Sequence, residues 1–360
     1  MKAQVLVGTV VLVLTAACGE NSVDESPRDD SIDTGSDAGG APGDASIDAA
    51  ADSALDAAPD AAPDAGGPPP VVLASGQNSP GAIAVDVTNV YWVNQGTPPP
   101  IGGSYDGAVM KVPVGGGAPT ALALGQSLPH AITVDADSVY WVNSATFNGD
   151  GSVVKVPIGG GAPVTLASAL NGPYSITVDS KSVYWSDSDG LWKMPIGGGT
   201  PTQLAKQCFG QIAVDATSVY WSSGGAIRKV SIDGGIPGNL AYGLDGAGYV
   251  KVDAANVYWT IFGSNGNGAA MKVAIGGGPP TLLASSTKRA FATAVDATSV
   301  YWIGEGFSDG VVMKVPISGG PPKVLAAGQP DPIALAVDST SVYWANGGPE
   351  TQGTIMKAAK

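Results

Sequence analysis

Residues 178–185 read VDSKSVYW, and six further stretches repeat the pattern Val-Asp-x-x-x-Val-Tyr-Trp without a gap. The tyrosines of the seven units are Tyr91, Tyr140, Tyr184, Tyr220, Tyr258, Tyr301 and Tyr343. Successive units therefore begin 36 to 49 residues apart. A period of this size is typical of repeat proteins in which each unit is one supersecondary motif, and of propeller blades in particular.

Each unit has the pattern of four short strands, a to d. Strand a is an apolar run before the Asp, whose side chain can bond its own backbone and start a turn. Strand b contains Val-Tyr-Trp, which are residues that favour strands. Strand c is a run such as VMKVPV at 109–114, and a glycine-rich turn leads to strand d, such as TALAL. Because no segment has helical apolar spacing or capping over a useful length, we predict an all-β, seven-bladed β-propeller.

The two ends of the repeat region complete each other. The last unit ends at TIMKAAK, which supplies strands a, b and c but no strand d. The segment at about 71–75, in contrast, resembles a strand d without its own a, b or c. Pairing of these two segments would close the ring and remove exposed strand edges. We therefore predict that residues 71–360 form a single propeller closed by this N-terminal strand.

The first 17 residues have the features of a signal peptide. Lys2 precedes an apolar stretch at 5–14, which is shorter than the roughly 20 residues needed to cross a bilayer. The following Leu-Thr-Ala-Ala-Cys resembles a bacterial lipobox, which implies that Cys18 is lipidated. Gly19 differs from the Asp that retains some lipoproteins at the inner membrane. We expect a cell-envelope lipoprotein, by analogy at the outer membrane, with its membrane face left open.

Residues 18–70 predict a disordered tether. This segment is rich in Ala, Asp, Pro and Gly, and residues 19–70 hold 13 acidic side chains against one basic side chain. Such a composition cannot bury enough apolar surface to offset the entropy of ordering. The region after the tether has 18 acidic and 15 basic residues, although the whole chain has a net charge of -14. A nearly neutral domain gives no electrostatic basis for nucleic-acid binding.

The repeats suggest a family resemblance. Tyr-Trp-Ser-Asp at 184–187 and Tyr-Trp-Thr at 258–260 resemble the YWTD repeats of low-density-lipoprotein-receptor-type propellers. The resemblance covers about 290 residues and implies a β-propeller. It departs from the family in having seven units rather than six, so streptogramin-lyase-like bacterial propellers are also relatives to consider. Propellers include binding proteins and enzymes, so the resemblance implies a fold more than a role.

A feature present in every unit is most simply explained by the blade itself. The repeated Tyr and Trp side chains predict packing between blades. We also expect seven turn aspartates to contact seven lysines of strand c. The aspartates are Asp86, Asp135, Asp179, Asp215, Asp253, Asp296 and Asp338, and the lysines are Lys111, Lys155, Lys193, Lys229, Lys272, Lys314 and Lys357. Cys208 is expected to be a buried thiol, and SDSDG at 186–190 to be a tight hairpin rather than a calcium loop.

The variable loops are the candidate site. Loops b–c and d–a are expected on one face of the disc, where aromatic and polar side chains suit an unknown protein, peptide or glycan. The candidate binding residues are Tyr105, His130, Phe147, Tyr174, Phe209, Tyr249, Phe262, Lys288, Arg289, Phe291 and Phe307. We expect no metal, no cofactor, a monomer, and membrane contact through the lipid anchor only.

Catalytic residues are not marked by any motif. The folded region contains one histidine, His130, and two glutamates, Glu305 and Glu350. We therefore favour a non-enzymatic binding or scaffold role and assign no catalytic residue. A carbohydrate lyase or lactonase with a site at the central channel is the alternative. Clustering of His130 with Glu305 or with loop aspartates would favour the enzyme, whereas an aromatic rim without converging carboxylates would favour binding.

Overall fold

The structure is a computed structural model that describes residues 68–97, 105–144, 149–206, 208, 210–244, 246–263, 267–286, 288–306, 308–348 and 352–360. These residues form 28 β-strands in seven four-stranded antiparallel sheets. Within this described part no helix is long and apolar enough to span a membrane. The predicted signal peptide, the predicted lipidation site Cys18 and residues 18–67 of the predicted tether lie outside the described residues.

Blades 1 to 4 each contain four consecutive strands. Blade 1 has β2 (Pro80–Val85), β3 (Asn89–Asn94), β4 (Gly107–Pro113) and β5 (Thr120–Gln126). Blade 2 has β6 (Pro129–Val134), β7 (Ser138–Asn143), β8 (Gly151–Pro157) and β9 (Val164–Leu170). Blade 3 has β10 (Ser175–Val178), β11 (Ser182–Asp187), β12 (Gly190–Pro195) and β13 (Thr202–Lys206). Blade 4 has β14 (Ile212–Val214), β15 (Ser218–Ser223), β16 (Ala226–Ser231) and β17 (Gly238–Ala241).

Blades 5 and 6 follow the same order, and blade 7 takes its outer strand from the start of the domain. Blade 5 has β18 (Ala247–Val252), β19 (Asn256–Ile261), β20 (Gly268–Ala274) and β21 (Thr281–Ser286). Blade 6 has β22 (Ala290–Val295), β23 (Ser299–Gly304), β24 (Gly310–Pro316) and β25 (Lys323–Gln329). Blade 7 has β26 (Pro332–Val337), β27 (Ser341–Asn346), β28 (Gly353–Ala359) and β1 (Val71–Gln77).

Strand β1 closes the ring as predicted. It pairs antiparallel with β28, with Val71 opposite Lys357 and Gln77 opposite Gly353. This pairing gives blade 7 the fourth strand that its own repeat lacks. The predicted all-β, seven-bladed propeller is therefore confirmed.

The repeated aromatic residues form the interfaces between blades. All seven Trp and seven Tyr side chains of the repeat are at most 2% exposed. Tyr91 of blade 1 lies in the same apolar cluster as Trp141 of blade 2, and Tyr343 of blade 7 lies with Trp92 of blade 1. Each blade thus presents its Tyr face to the Trp face of the next. This arrangement confirms the packing role that the sequence predicted.

The repeated aspartates bind within their own blade, and Asp296 also forms an ion pair with Lys360, which follows strand β28 of blade 7. In every blade the Tyr hydroxyl of strand b donates to the Asp Oδ2 at 2.7–2.9 Å. The other carboxylate oxygen accepts hydrogen bonds from two backbone amides of the turn. In blade 1, Asp86 Oδ1 accepts from Thr88 N at 2.6 Å and from Asn89 N at 2.7 Å. The carboxylate therefore joins the a–b turn to strand b.

The repeated lysines bind between blades, so the expected ring of Asp–Lys contacts is wrong for the six lysines with a described partner. Each of these donates to a backbone carbonyl just after strand c of the following blade, at 2.6–2.8 Å. Lys111 binds Ile158 O of blade 2, and Lys357 binds Val114 O across the closure. The tyrosine and the turn amides already occupy the aspartates, and this leaves the unpaired carbonyl as the better partner for the lysine.

Candidate functional site at the mouth of the channel

Loops b–c and d–a lie together on one face, hereafter the loop face. Backbone hydrogen bonds join them within a blade: Gln95 N donates to Ser79 O at 2.9 Å, and Ser144 N donates to Leu128 O at 3.1 Å. Similar bonds connect Ser188 to Asn171, Phe262 to Gly246, Glu305 to Arg289 and Gly347 to Asp331. The a–b and c–d turns are joined in the same way at the opposite face, as by Ile158 N and Asp137 O. The unrepeated loops are therefore collected on one side of the disc.

The seven a strands form the innermost ring, and each contacts the a strands of its two neighbours. Several of their side chains are only half-buried although they lie at the centre of the disc, including His130, Tyr249, Phe291 and Ile333. Partial exposure at this position indicates a central channel. Residues near the start of each a strand lie at the end of the channel that opens on the loop face.

His130 and Tyr174 form one side of the channel mouth. Their ring centroids are 4.7 Å apart, and His130 Nδ1 lies 2.9 Å from the carbonyl oxygen of Tyr174. A carbonyl only accepts, so Nδ1 must carry the proton and Nε2 is the acceptor nitrogen of the neutral ring. Burial lowers the pKa of His130 and outweighs the opposite effect of this hydrogen bond. His130 is therefore a neutral acceptor at pH 7.

Tyr249, Phe291, Phe262 and Arg289 form a second group in blades 5 and 6. The rings of Tyr249 and Phe291 meet edge to face with centroids 4.9 Å apart, and Phe262 lies 6.5 Å from Phe291. The Arg289 guanidinium lies over the Phe262 ring at 4.8 Å and is 3.6 Å from Glu305 Oε2. Cation–π contact and the ion pair orient the exposed arginine along the rim.

Each of the two groups contains one phenol whose pKa is raised. Burial raises the pKa of Tyr249, and the charge that Tyr174 would carry raises it further. Burial also raises the pKa of Tyr174, against the effect of a hydrogen bond with Gln211. Both phenols are therefore neutral at pH 7. The two groups lie at the starts of a strands that form one inner ring, and together they make up the aromatic set from His130 to Phe262.

Backbone irregularities accompany the second group. Strand β18 has a bulge between Gly248 and Lys251, and β22 has one between Phe291 and Thr293. The bulged residues Tyr249 and Ala292 have φ values of 20° and 38°, which are rare for residues other than glycine. Bulges redirect side chains and are frequent near functional sites. Similar bulges occur near the start of β2, β6 and β26, so they are a recurrent feature of the a strands, and the aromatic side chains distinguish this group.

The remaining predicted residues are not part of this group. Lys288 forms an ion pair with Asp309, at 2.5 Å between Nζ and Oδ2, which holds it in the outer loops of blade 6. Tyr105 precedes β4 in blade 1, and its ring has no described aromatic partner. Phe147, Phe209 and Phe307 lie outside the described residues, as does Glu350.

Sequence reasoning missed two polar residues of the channel, Gln211 and Lys251. Gln211 Oε1 lies 3.2 Å from Ser175 Oγ and supports the turn that carries Tyr174. Lys251 is on the inner strand β18, two residues after Tyr249. A comparison of the seven a strands with each other would have found Lys251, because it is the one Lys, Arg, Asp or Glu that they contain.

Carboxylates do not converge on His130 in the described part of the chain. Glu305 is paired with Arg289, and Asp187 accepts hydrogen bonds from Trp192 Nε1, Asp189 N and Gly190 N at 2.9–3.0 Å. Those bonds form the tight hairpin expected for SDSDG. The described residues also hold no group of three His, Cys, Asp or Glu side chains that could bind a metal ion. Cys208 is fully buried, as predicted.

No protein-family model matches this chain, and no curated protein sequence is significantly similar to it. Among solved structures, a puromycin-hydrolysing peptidase of Mycobacterium tuberculosis is 16% identical with a TM-score of 0.58, covering 82% of this chain and 54% of the peptidase. The β-propeller domain of the Trilobed protease from Pyrococcus furiosus is 10% identical with a TM-score of 0.57, and the match covers 78% of this chain and 95% of that domain. A nidogen–laminin complex is 18% identical over 68% of this chain and 83% of its own, but its TM-score of 0.43 carries no argument. These likenesses show a β-propeller fold and do not extend to membership of the YWTD family.

Proposed function

We propose that this protein is an exported, lipid-anchored β-propeller that acts as a non-enzymatic binding module through the channel mouth on its loop face. The observation that carries the proposal is the aromatic set from His130 to Phe262, built from residues that the seven repeats do not share. Aromatic rings beside a few polar groups in a concave site suit a protein, peptide or glycan ligand. Gln211 and the acceptor nitrogen of His130 supply polar groups beside these rings.

Binding is favoured over catalysis by the contacts of the titratable groups. His130 is occupied at Nδ1 by a backbone carbonyl, and Glu305 is paired with Arg289. Neither is a member of an acid–base pair among the described residues, which supply no contact that supports a lyase or lactonase. The similarity to a puromycin-hydrolysing peptidase, at 16% identity, shows a shared fold and gives no evidence of a shared activity.

Binding at the mouth can be tested by cross-linking and pull-down of the full chain from intact cells. The test variant is Tyr249→Ala with Phe291→Ala, which removes the two rings that meet at the mouth. The control variant is Val87→Ser, because Val87 is 90% exposed on an a–b turn at the opposite face. We expect the double variant to lose its cross-linked partner and the control to keep it. Equal recovery with both variants would contradict the proposal, provided that circular dichroism shows both to be folded.

The anchor has its own test. The sequence supports lipidation at Cys18, so Cys18→Ala should lose metabolic labelling with a fatty acid and leave the membrane fraction. Fractionation of inner and outer membranes then tests the outer-membrane assignment. Labelling that persists in the Cys18→Ala variant would exclude Cys18 as the anchor.

A further inference from the structure

Lys251 lies on the inner ring, where a charge is unexpected. The seven a strands β2, β6, β10, β14, β18, β22 and β26 contain no Asp, Glu or Arg, and Lys251 is their single lysine. Lys251 is opposite Tyr258 in the β18–β19 pairing. The residues opposite the corresponding Tyr in the other blades are Ala84, Thr133, Thr177, Ala213, Ala294 and Ala336. The blade fold therefore needs only a small side chain here.

The side chain of Lys251 reaches the lumen of the channel. It is exposed to water although β18 is an innermost strand. It is also surrounded by protein, because β18 lies in the inner ring between β14 and β22 of the neighbouring blades. The desolvation that this protein causes lowers the pKa of Lys251. A side chain on the outer surface would be exposed without this desolvation, and a side chain between blades would be desolvated without exposure. A position inside the channel accounts for both.

The lysine is unpaired in the described part of the chain. Its Nζ has no hydrogen bond or ion pair there, in contrast to the six strand-c lysines that bind backbone carbonyls. An enclosed ammonium group without a partner is costly, and such groups in proteins are normally paired. Because the a strands provide no carboxylate, an anion that enters from solvent would be the natural partner.

Lys251 is also close to the aromatic mouth. It follows Tyr249 by two residues on the same strand, which corresponds to at most about 7 Å along the backbone. The bulge between Gly248 and Lys251 alters the regular alternation of side chains at this point. One strand thus brings an aromatic ring and an unpaired cation to the same channel.

We propose that the channel binds a ligand bearing a carboxylate, which pairs with Lys251 while an adjoining ring lies against Tyr249 and Phe291. This inference rests on the proposed binding function and specifies the charge of the ligand. A single positive side chain matches a monoanion, whereas a phosphate dianion would leave one charge uncompensated in the enclosed channel. His130 is neutral and adds an acceptor for a hydroxyl or amide donor of the ligand.

Titration calorimetry of the full-length protein in detergent can test the charge requirement with two matched pairs of probes. One pair is the galacturonate monosaccharide and its methyl ester, and the other is N-acetyl-phenylalanine and its amide. Inorganic phosphate serves as the simple-anion probe. We expect at least one acid to bind about tenfold or more tightly than its neutral partner, which is the range of a hydrogen bond to a charged group. The pair that responds distinguishes an acidic sugar from a peptide carboxylate.

Three variants assign the effect to Lys251. Lys251→Thr introduces the residue found at the same position in blades 2 and 3, and should weaken binding of the acid about ten- to hundredfold. Lys251→Arg keeps the charge and should retain most of the affinity. Lys181→Thr removes an exposed lysine from an a–b turn on the opposite face and should have no effect.

Several outcomes would overturn the inference: equal binding of acid and neutral probes, no binding of either acid, phosphate binding as tight as that of the acids, or unchanged affinity in Lys251→Thr. Failure of this inference can be distinguished from failure of the proposed function. If the Tyr249 and Phe291 variant loses its cellular partner while Lys251→Thr keeps it, the mouth binds a partner but the carboxylate assignment is wrong.

Discussion

Substitution of Gln329 by leucine should destabilise the interface between blades 6 and 7. Gln329 is 8% exposed, and its Oε1 accepts Trp344 Nε1 at 3.0 Å and Asn346 Nδ2 at 3.3 Å. Leucine would remove this acceptor from the indole N–H of a fully buried Trp344, whereas Asn346 keeps its bond to Thr354 Oγ1. Asn346 Oδ1 has no partner in the described part of the chain, and the matching Asn94 Oδ1 accepts Trp92 Nε1 at 3.1 Å in blade 1, so it can replace part of the lost bond. A buried donor left unpaired costs about 1–3 kcal/mol, so we expect a loss at the lower end of this range, about 1 kcal/mol in the free energy of unfolding.

The repeat provides a reciprocal variant. Gln329 pairs with Gly310 across its sheet, and Leu170 occupies the same place opposite Gly151 in blade 2. Trp185 of blade 3, which follows Leu170, is fully buried and has the Asp187 carboxylate beside its indole. Leu170→Gln therefore supplies no missing acceptor, and it should change the free energy of unfolding by less than Gln329→Leu does. Glutamine and leucine have similar volumes, and each already occurs at this position in one of the two blades.

Equilibrium unfolding in guanidinium chloride at pH 7, followed by tryptophan fluorescence and circular dichroism, measures both effects. The reasoning would be refuted if Gln329→Leu changed stability by less than about 0.5 kcal/mol, or if both variants were equally destabilised. The second result would mean that volume and packing, rather than the indole hydrogen bond, determine the residue at this position.

Three further predictions concern the repeated contacts and the buried thiol. Tyr343→Phe removes the hydroxyl that donates to Asp338 Oδ2 at 2.7 Å, and should cost about 1 kcal/mol in the same unfolding assay; an unchanged midpoint would contradict a stabilising role. Burial alone would raise the pKa of Asp86, Asp215, Asp253, Asp296 and Asp338, but their hydrogen bonds outweigh it and hold each pKa below 3.8. These carboxyls bind fewer protons in the folded than in the unfolded protein, so their contribution to the free energy of unfolding is present above about pH 4 and is lost as the pH falls further. Asp187 and Asp331, whose pKa burial raises, act in the opposite direction. A denaturation midpoint that stays constant from pH 5 to pH 3 would argue against a net stabilisation by these aspartates. Burial also raises the pKa of the Cys208 thiol, so Cys208 should not react with a maleimide until the protein is denatured. Rapid labelling of Cys208 in the native protein would contradict this.

The sequence was sufficient to predict the scaffold because each blade repeats the same short sequence pattern. Val-Tyr-Trp specifies a buried strand b, and the Asp before it specifies the turn that leads to that strand. Seven copies and a lone strand d at 71–75 were enough to predict the closed ring. The pairing of β1 with β28 is the long-range consequence of those local patterns.

The partners of the repeated charges were harder to predict. A conserved spacing of Asp and Lys suggested an ion pair, yet the Tyr hydroxyl five residues after each Asp is a nearer partner. Lysine then reaches a carbonyl in the next blade, a contact that depends on how two sheets are placed against each other. Residue types could be counted in advance, but the competition between two acceptors is decided by distances across an interface.

The candidate site depends on departures from the repeat that are individually inconspicuous in the sequence. Tyr249 and Phe291 belong to different blades, and they meet where the inner strands β18 and β22 contact each other. Bulges also occur near the start of β2, β6 and β26, so the side chains at these positions, and not the bulges, distinguish the site. Lys251, by contrast, differs in charge from all six residues at its position in the other blades. The blade does not require a lysine at this position, and Lys251 forms no ion pair with a carboxylate in the described part of the chain. A ligand that supplies a carboxylate best explains why the lysine is there.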